Sequence, residues 1–185
     1  LYDCKNNISR QVVVFDKDIY CLLSSISWMV VHGEMDDVLS LDKQIKKLRN
    51  KKLVLNCKGI TRLTISILKD YGIKCRYIRF NTISESNTYD NGHVLTEVRI
   101  DNKWILFDLD NNKYFKYKNK VLNVKDFIEN DIDFDMVEFV KLSVDMNLDV
   151  TDYFIENLNL SFYVEYAQSN LRRWYKRVMQ KPEIH

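Results

Sequence analysis

Residues 55–75 read LNCKGITRLTISILKDYGIKC. Asn56 is a good helix N-cap, which makes Cys57 the first helical residue. Ile60, Leu63, Ile67, Leu68 and Tyr71 recur at helical spacing and predict one buried face. Gly72 stands where a left-handed C-terminal cap is expected. Cys57 lies one turn before Ile60, on the side turned toward the core. A thiol at that place either packs or reacts, and the flanking sequence bears on which.

Downstream, Lys74–Phe80, His93–Ile100 and Trp104–Leu109 are rich in β-branched and aromatic residues and predict three strands. The residues Asp101, Asn102 and Lys103 predict a tight turn between the second and third. The polar run from Asn81 to Gly92 joins the first two; it is long for a hairpin loop, which makes it a candidate for substrate contact. Upstream, Tyr20–Val31 is apolar nearly all round and predicts a buried helix ended by Gly33. Ser40–Leu48 predicts a short second helix, capped by Ser40. Beyond Lys120 the pattern predicts helices over Val124–Asn130, Asp149–Asn157 and Phe162–Gln180, with Met136–Val144 open between helix and strand. Helices, then a meandering antiparallel sheet, then helices define an α+β chain. The expected organisation is a single domain over residues 1–185, with a core about 19–118 and a helical C-terminal extension about 120–185.

Composition narrows the function classes. Of 185 residues, 46% are hydrophobic and 12% aromatic, enough for a sizeable core, and Gly 4 and Pro 1 leave no linker. A net charge of +2 is too mild to argue for a nucleic-acid surface. The basic clusters Lys43–Lys52 and Arg172, Arg173, Lys176, Arg177 read as solvated helix faces. Cys4, Cys21, Cys57 and Cys75 form no C-x-x-C pair, so no zinc or other metal site is expected, and no cofactor. The apolar stretch Ile19–Val31 is about half of a membrane span. It lacks the basic lead of a signal peptide. A cytoplasmic protein is expected, with the reservation that the chain starts at Leu1.

The hairpin from His93 to Asp108 can carry chemistry. With Asp101-Asn102 as a two-residue turn, Ile100 pairs with Lys103 and Asp108 falls opposite Leu95. His93 is then the diagonal neighbour of Asp108, ~7–8 Å away between backbones and within reach of long side chains. A carboxylate so placed fixes a histidine tautomer and stabilises its protonated form. A thiolate at a helix start gains from the macrodipole and free N–H groups, and those groups can also hold an oxyanion. Cys57, His93 and Asp108 are therefore the candidate catalytic residues. Beyond the Cys57 backbone, Trp28 and Asn56 are candidate oxyanion donors.

The stretch NCKGITRLTISILKDYGIKCRYIRF, followed by GHVLTEVRIDNKWILFDLD, resembles the transglutaminase-like superfamily of papain-like cysteine enzymes. In that superfamily a Cys begins a core helix ending in a YGI-type segment. A GH-x-x-x-E-V strand then carries a His, and a W-x-x-x-D strand carries an Asp. The resemblance covers about residues 53–112 and implies a papain-like core, its nucleophile-bearing helix packed on an antiparallel sheet. It implies Cys57 as nucleophile, His93 as general base and acid, and Asp108 as the carboxylate orienting His93. The gaps also suit the related arylamine N-acetyltransferases. Leu55, Thr61-Arg62 and Leu109 depart from the pattern and leave the subfamily open. The expected activity is that of an amidase or peptidase on a peptide, protein or small amide substrate, through a Cys57 thioester. The alternatives are an acyltransferase or cross-linking transglutaminase, or a non-catalytic partner-binding module on the same fold.

Overall fold

The computed structural model describes the backbone of residues 4–5, 12–13, 18–48, 51–82, 92–142 and 171–185, with side chains from residue 18 onward. Strands β1 (Cys4–Lys5) and β2 (Val12–Val13) form a short antiparallel pair. Helix α1 (Ile19–Trp28) follows, its start capped by Asp18, which accepts from the Cys21 N–H. The expected helix over Tyr20–Val31 ends early. Met29 caps it, and Val30–His32 leave as strand β3, paired in parallel with β4 (Leu53–Leu55). A short apolar run does not distinguish helix from strand by periodicity, and here strand pairing decides. Gly33 has a different task from the one expected. A Cβ there would meet Val54 Cγ1 at 2.4 Å, so glycine lets the two chains approach.

Helix α2 (Leu41–Leu48) lies between these strands in sequence, and its lysines are mostly exposed. Lys47 is the exception: its Nζ contacts both oxygens of buried Asp36 at 2.6 Å. Asp36 also accepts from the Val54 N–H at 2.7 Å, so this carboxylate ties α2 to β4. Helix α3 (Cys57–Asp70) begins as the sequence predicts, with Asn56 accepting from the Gly59 N–H at 2.8 Å. Its end is a Schellman motif: Gly72 has φ +69°, its N–H reaches Lys69 O, and the Ile73 N–H reaches Leu68 O. Ile60, Leu63 and Leu68 are buried, Ile67 is half-buried, and Tyr71 is exposed.

Strands β5 (Cys75–Asn81), β6 (Gly92–Ile100), β7 (Lys103–Asp108) and β8 (Lys113–Tyr117) are consecutive antiparallel neighbours. The β6–β7 register is the predicted one, from Ile100 opposite Lys103 to Thr96 opposite Phe107. Asp101 and Asn102 have φ of 47° and 63°, as a type I′ turn requires. Strand β9 (Lys120–Val121) pairs with β8, α4 (Val124–Glu129) follows behind a capping box, and within the ambiguous stretch Met136–Val144 the residues Val137–Lys141 form strand β10. Residues 171–178 are helical, and β11 (Lys181–Ile184) then pairs with β5. The sheet order is β10-β8-β7-β6-β5-β11, with β9 beside β8. The predicted helix Asp149–Asn157, the 162–170 part of the predicted helix Phe162–Gln180 and the 83–91 part of the long polar loop lie outside the described residues.

Two apolar clusters flank the sheet. One joins Leu22, Leu23 and Ile26 of α1 and Ile60 and Leu68 of α3 to Val98, Ile105 and Phe107. The other joins Ile78, Leu95, Leu106 and Phe115 to Val124, Tyr175, Val178 and Met179. Alternation along β6 and β7 divides these residues between the two faces. The chain is therefore α+β, with helices packed against a multi-stranded antiparallel sheet.

Candidate active site

Cys57 opens α3, His93 is the second residue of β6, and Asp108 ends β7. Gly92 lets β6 begin where it does: a Cβ there would sit 2.7 Å from the Phe80 carbonyl oxygen. His93 faces Phe80 in the ladder and is 1% exposed. Its Nε2 lies 2.8 Å from Asp108 Oδ2. That leaves Nδ1 as the ring nitrogen for Cys57.

Asp108 is fully buried, and four hydrogen bonds, the one with His93 among them, account for how a carboxylate is held there. The Asn111 N–H donates to Oδ1 at 3.1 Å, and Asn111 Nδ2 to Oδ2 at 2.9 Å. Tyr175 donates its hydroxyl to Oδ2 at 2.5 Å. His93 supplies the fourth. Burial works against the charged carboxylate, but the His93 charge and these hydrogen bonds outweigh it and hold Asp108 below its usual range. Tyr175 responds in the opposite sense: burial, then the Asp108 charge, raise it well above 10, so it stays a donor.

Burial also disfavours the His93 imidazolium. The charge and hydrogen bond of Asp108, then the hydrogen bond and charge of Cys57, overcome this and push His93 up to about 10. The ring packs edge-on against Trp174, 4.6 Å between centroids. Cys57 is half-buried, as are Cys21 and Cys75. Cys75 is set apart by its surroundings, since burial raises its thiol.

Of the three residues the sequence singled out, His93 and Asp108 meet at 2.8 Å, and Cys57, at the start of α3, acts on the His93 ring. It did not single out Tyr175 or Asn111. Asn111 stands three residues beyond Asp108, where Asp side chains commonly accept from nearby backbone N–H groups. Tyr175 carries no local signal. Of the candidate oxyanion donors, Asn56 uses its side-chain oxygen to cap α3, and Trp28 has Lys52 Nζ over its ring at 4.5 Å.

Other motif residues serve as scaffold. Glu97 is fully buried, accepting from Arg76 Nε at 2.5 Å and from the Val124 N–H at 2.7 Å. Arg76 in turn lies over the Trp104 ring at 4.4 Å. A Cβ on Gly59 would fall 2.0 Å from Asp37 Oδ1, so the first turn of α3 needs a residue without one. A cavity of about 400 Å³ borders Asp37, Gln44, Asn56, Gly59 and Arg62, and neither Cys57 nor His93 lines it.

The family model of the transglutaminase-like superfamily matches residues 14–109, just over half of the chain. The chain belongs to the transglutaminase-like superfamily. The matched range ends one residue after Asp108, and Tyr175 lies outside it. No curated protein and no solved structure matched the chain. Among the described residues, no group of three or more His, Cys, Asp or Glu side chains is placed to hold a metal ion. No helix among them is long and apolar enough to cross a membrane.

Proposed function

We propose that the chain is a cysteine hydrolase of amide bonds, an amidase or peptidase, built as one transglutaminase-like domain and working through a Cys57 thioester. The observation that carries this reading is the buried His93–Asp108 pair, with His93 held protonated beside Cys57 at the start of a helix. Membership of the superfamily is consistent with amide-bond chemistry.

In the proposed mechanism the proton already sits on His93, and Cys57 attacks the carbonyl carbon as the thiolate of that pair. The oxyanion that forms is held by backbone N–H groups at the α3 N-terminus, including that of Cys57. His93 protonates the leaving amine, the C–N bond breaks, and the acyl group remains as a thioester. Asp108 does not exchange the proton. Its four hydrogen bonds fix it in place, and it fixes the ring.

The test is a screen of short peptide amides with no amine added, followed by variants on any substrate found. Cys57→Ser keeps the Asn56 cap and the buried α3 face, so it should fold normally and lose turnover. Asp108→Asn should lower kcat by about 10⁴-fold where the tautomer is lost. A Cys57→Ser protein that keeps full turnover would overturn the proposal.

A further inference from the structure

Asp108 Oδ2 is a crowded oxygen. Among the described residues it takes three donors: the Tyr175 hydroxyl at 2.5 Å, His93 Nε2 at 2.8 Å and Asn111 Nδ2 at 2.9 Å. Oδ1 takes one, the Asn111 N–H at 3.1 Å. A carboxylate oxygen offers about two lone pairs, so three donors on one oxygen compete. Tyr175 is the nearest of the three, and it is as fully buried as the carboxylate. Bonds to a charged acceptor are strong in such surroundings. Packing holds the phenol where it is. Its ring stacks on Phe139, 4.9 Å between centroids, and meets Phe115 edge-on at 5.2 Å. On either side of it in the chain, Trp174 lies against His93 and Lys176 pairs with Asp135.

Resting on the reading that His93 is the acid and base of Cys57, we propose that Tyr175 is a positioning residue that governs how readily His93 releases its proton, because its hydroxyl competes with the His93 N–H for the same oxygen of Asp108. The competition has a definite sign. The hydroxyl draws charge from Oδ2, so the imidazolium is held less tightly than Asp108 would otherwise hold it. Hydroxyl and proton weaken each other's binding equally, as linkage requires. Against burial, Asp108 and then Cys57 already push His93 up to about 10. A ring held tighter still is a weaker acid toward the leaving amine, whose protonation accompanies C–N cleavage. Tyr175 remains a donor throughout, since burial and then the Asp108 charge raise it well above 10. Asp110 also bears on Tyr175 and is itself paired with His32, and Lys113 is the ladder partner of Asp108 in β8. These groups are the same with and without the hydroxyl, so removing it isolates its effect.

Tyr175→Phe keeps the ring against Phe115 and Phe139 and leaves Asp108 its His93 and Asn111 donors. NMR of the full chain follows the imidazole resonances of the three histidines with pH, His93 being identified by its absence from His93→Gln. The variant should hold the His93 proton roughly threefold to tenfold more tightly, read as a midpoint moved upward. A midpoint unmoved or lowered would overturn the proposal. If the variant does not fold, the wild-type protein decides. Its Tyr175 hydroxyl proton should move downfield as His93 loses its proton, and a hydroxyl indifferent to that titration would overturn the proposal equally. Kinetics separate tuning from mere support. p-Nitrophenyl acetate expels its leaving group without a proton, and a peptide p-nitroanilide does not. Tyr175→Phe should slow acylation by the anilide several-fold more than acylation by the ester, and equal falls would reduce Tyr175 to a structural strut. If the wild type is acetylated by the ester but cleaves no anilide, the midpoint alone decides. A wild-type Cys57 that the ester never acetylates would sink the cysteine-hydrolase reading whatever the midpoint does, and the proposal with it.

Discussion

At His93, burial and charge pull in opposite directions, and charge wins. Asp108 and Cys57 raise the ring to about 10, while an unfolded histidine titrates near 6.5. A raised folded value means that the folded state holds the proton more tightly. The resulting stability is fully present below about pH 6.5 and drains away as pH rises through about 10. Other groups titrate in this range, so the comparison is with His93→Gln, which lacks the proton. Urea denaturation should give the largest gap between the two proteins near pH 6, shrinking toward pH 10. A gap that stays constant across that range would show that His93 is not held protonated. The same residue scale holds what the sequence could not disclose. Tyr175 reaches Asp108 across 67 positions, and nothing in its own neighbourhood marks it. Only tertiary packing brings it there.

Elements with local punctuation were legible. Helix α3 has a cap at Asn56 and a left-handed glycine at Gly72, and both ends form where those residues stand. The β6–β7 hairpin is set by Asp101 and Asn102, and its register follows from the turn alone. Elements without such marks were not legible. Val30–His32 continue an apolar helix in sequence and leave it only because β4 offers a partner. Strand β11 contains Pro182, which argues against a strand unless it runs along an edge, as it does beside β5. Gly92 belongs to this scale, since it determines how closely β6 approaches β5. Gly92→Ala places a methyl group against the Phe80 backbone, which cannot swing aside as a side chain can. The expected cost is about 1–3 kcal/mol in chemical denaturation, with a fall in turnover because His93 is the next residue. A variant as stable and active as the parent would mean that the β5–β6 approach has slack.

Over the whole molecule, the sheet separates two apolar clusters and the cysteine site draws on elements from distant parts of the chain. Helix α3 supplies Cys57, the hairpin supplies His93 and Asp108, and the C-terminal helix supplies Trp174 and Tyr175. The basic face of that last helix is only partly solvated. Lys176 pairs with Asp135 at 2.5 Å, and Arg172 lies over Phe139. The assembly has one purpose under the present account, which is to make Cys57 a nucleophile through His93. Iodoacetamide labelling at about pH 6, with mass-spectrometric mapping of every cysteine, tests that claim most directly. Cys57 should react first and well ahead of Cys4, Cys21 and Cys75, and His93→Asn should abolish the lead. Equal rates at the four thiols, or a Cys57 advantage that survives His93→Asn, would contradict it.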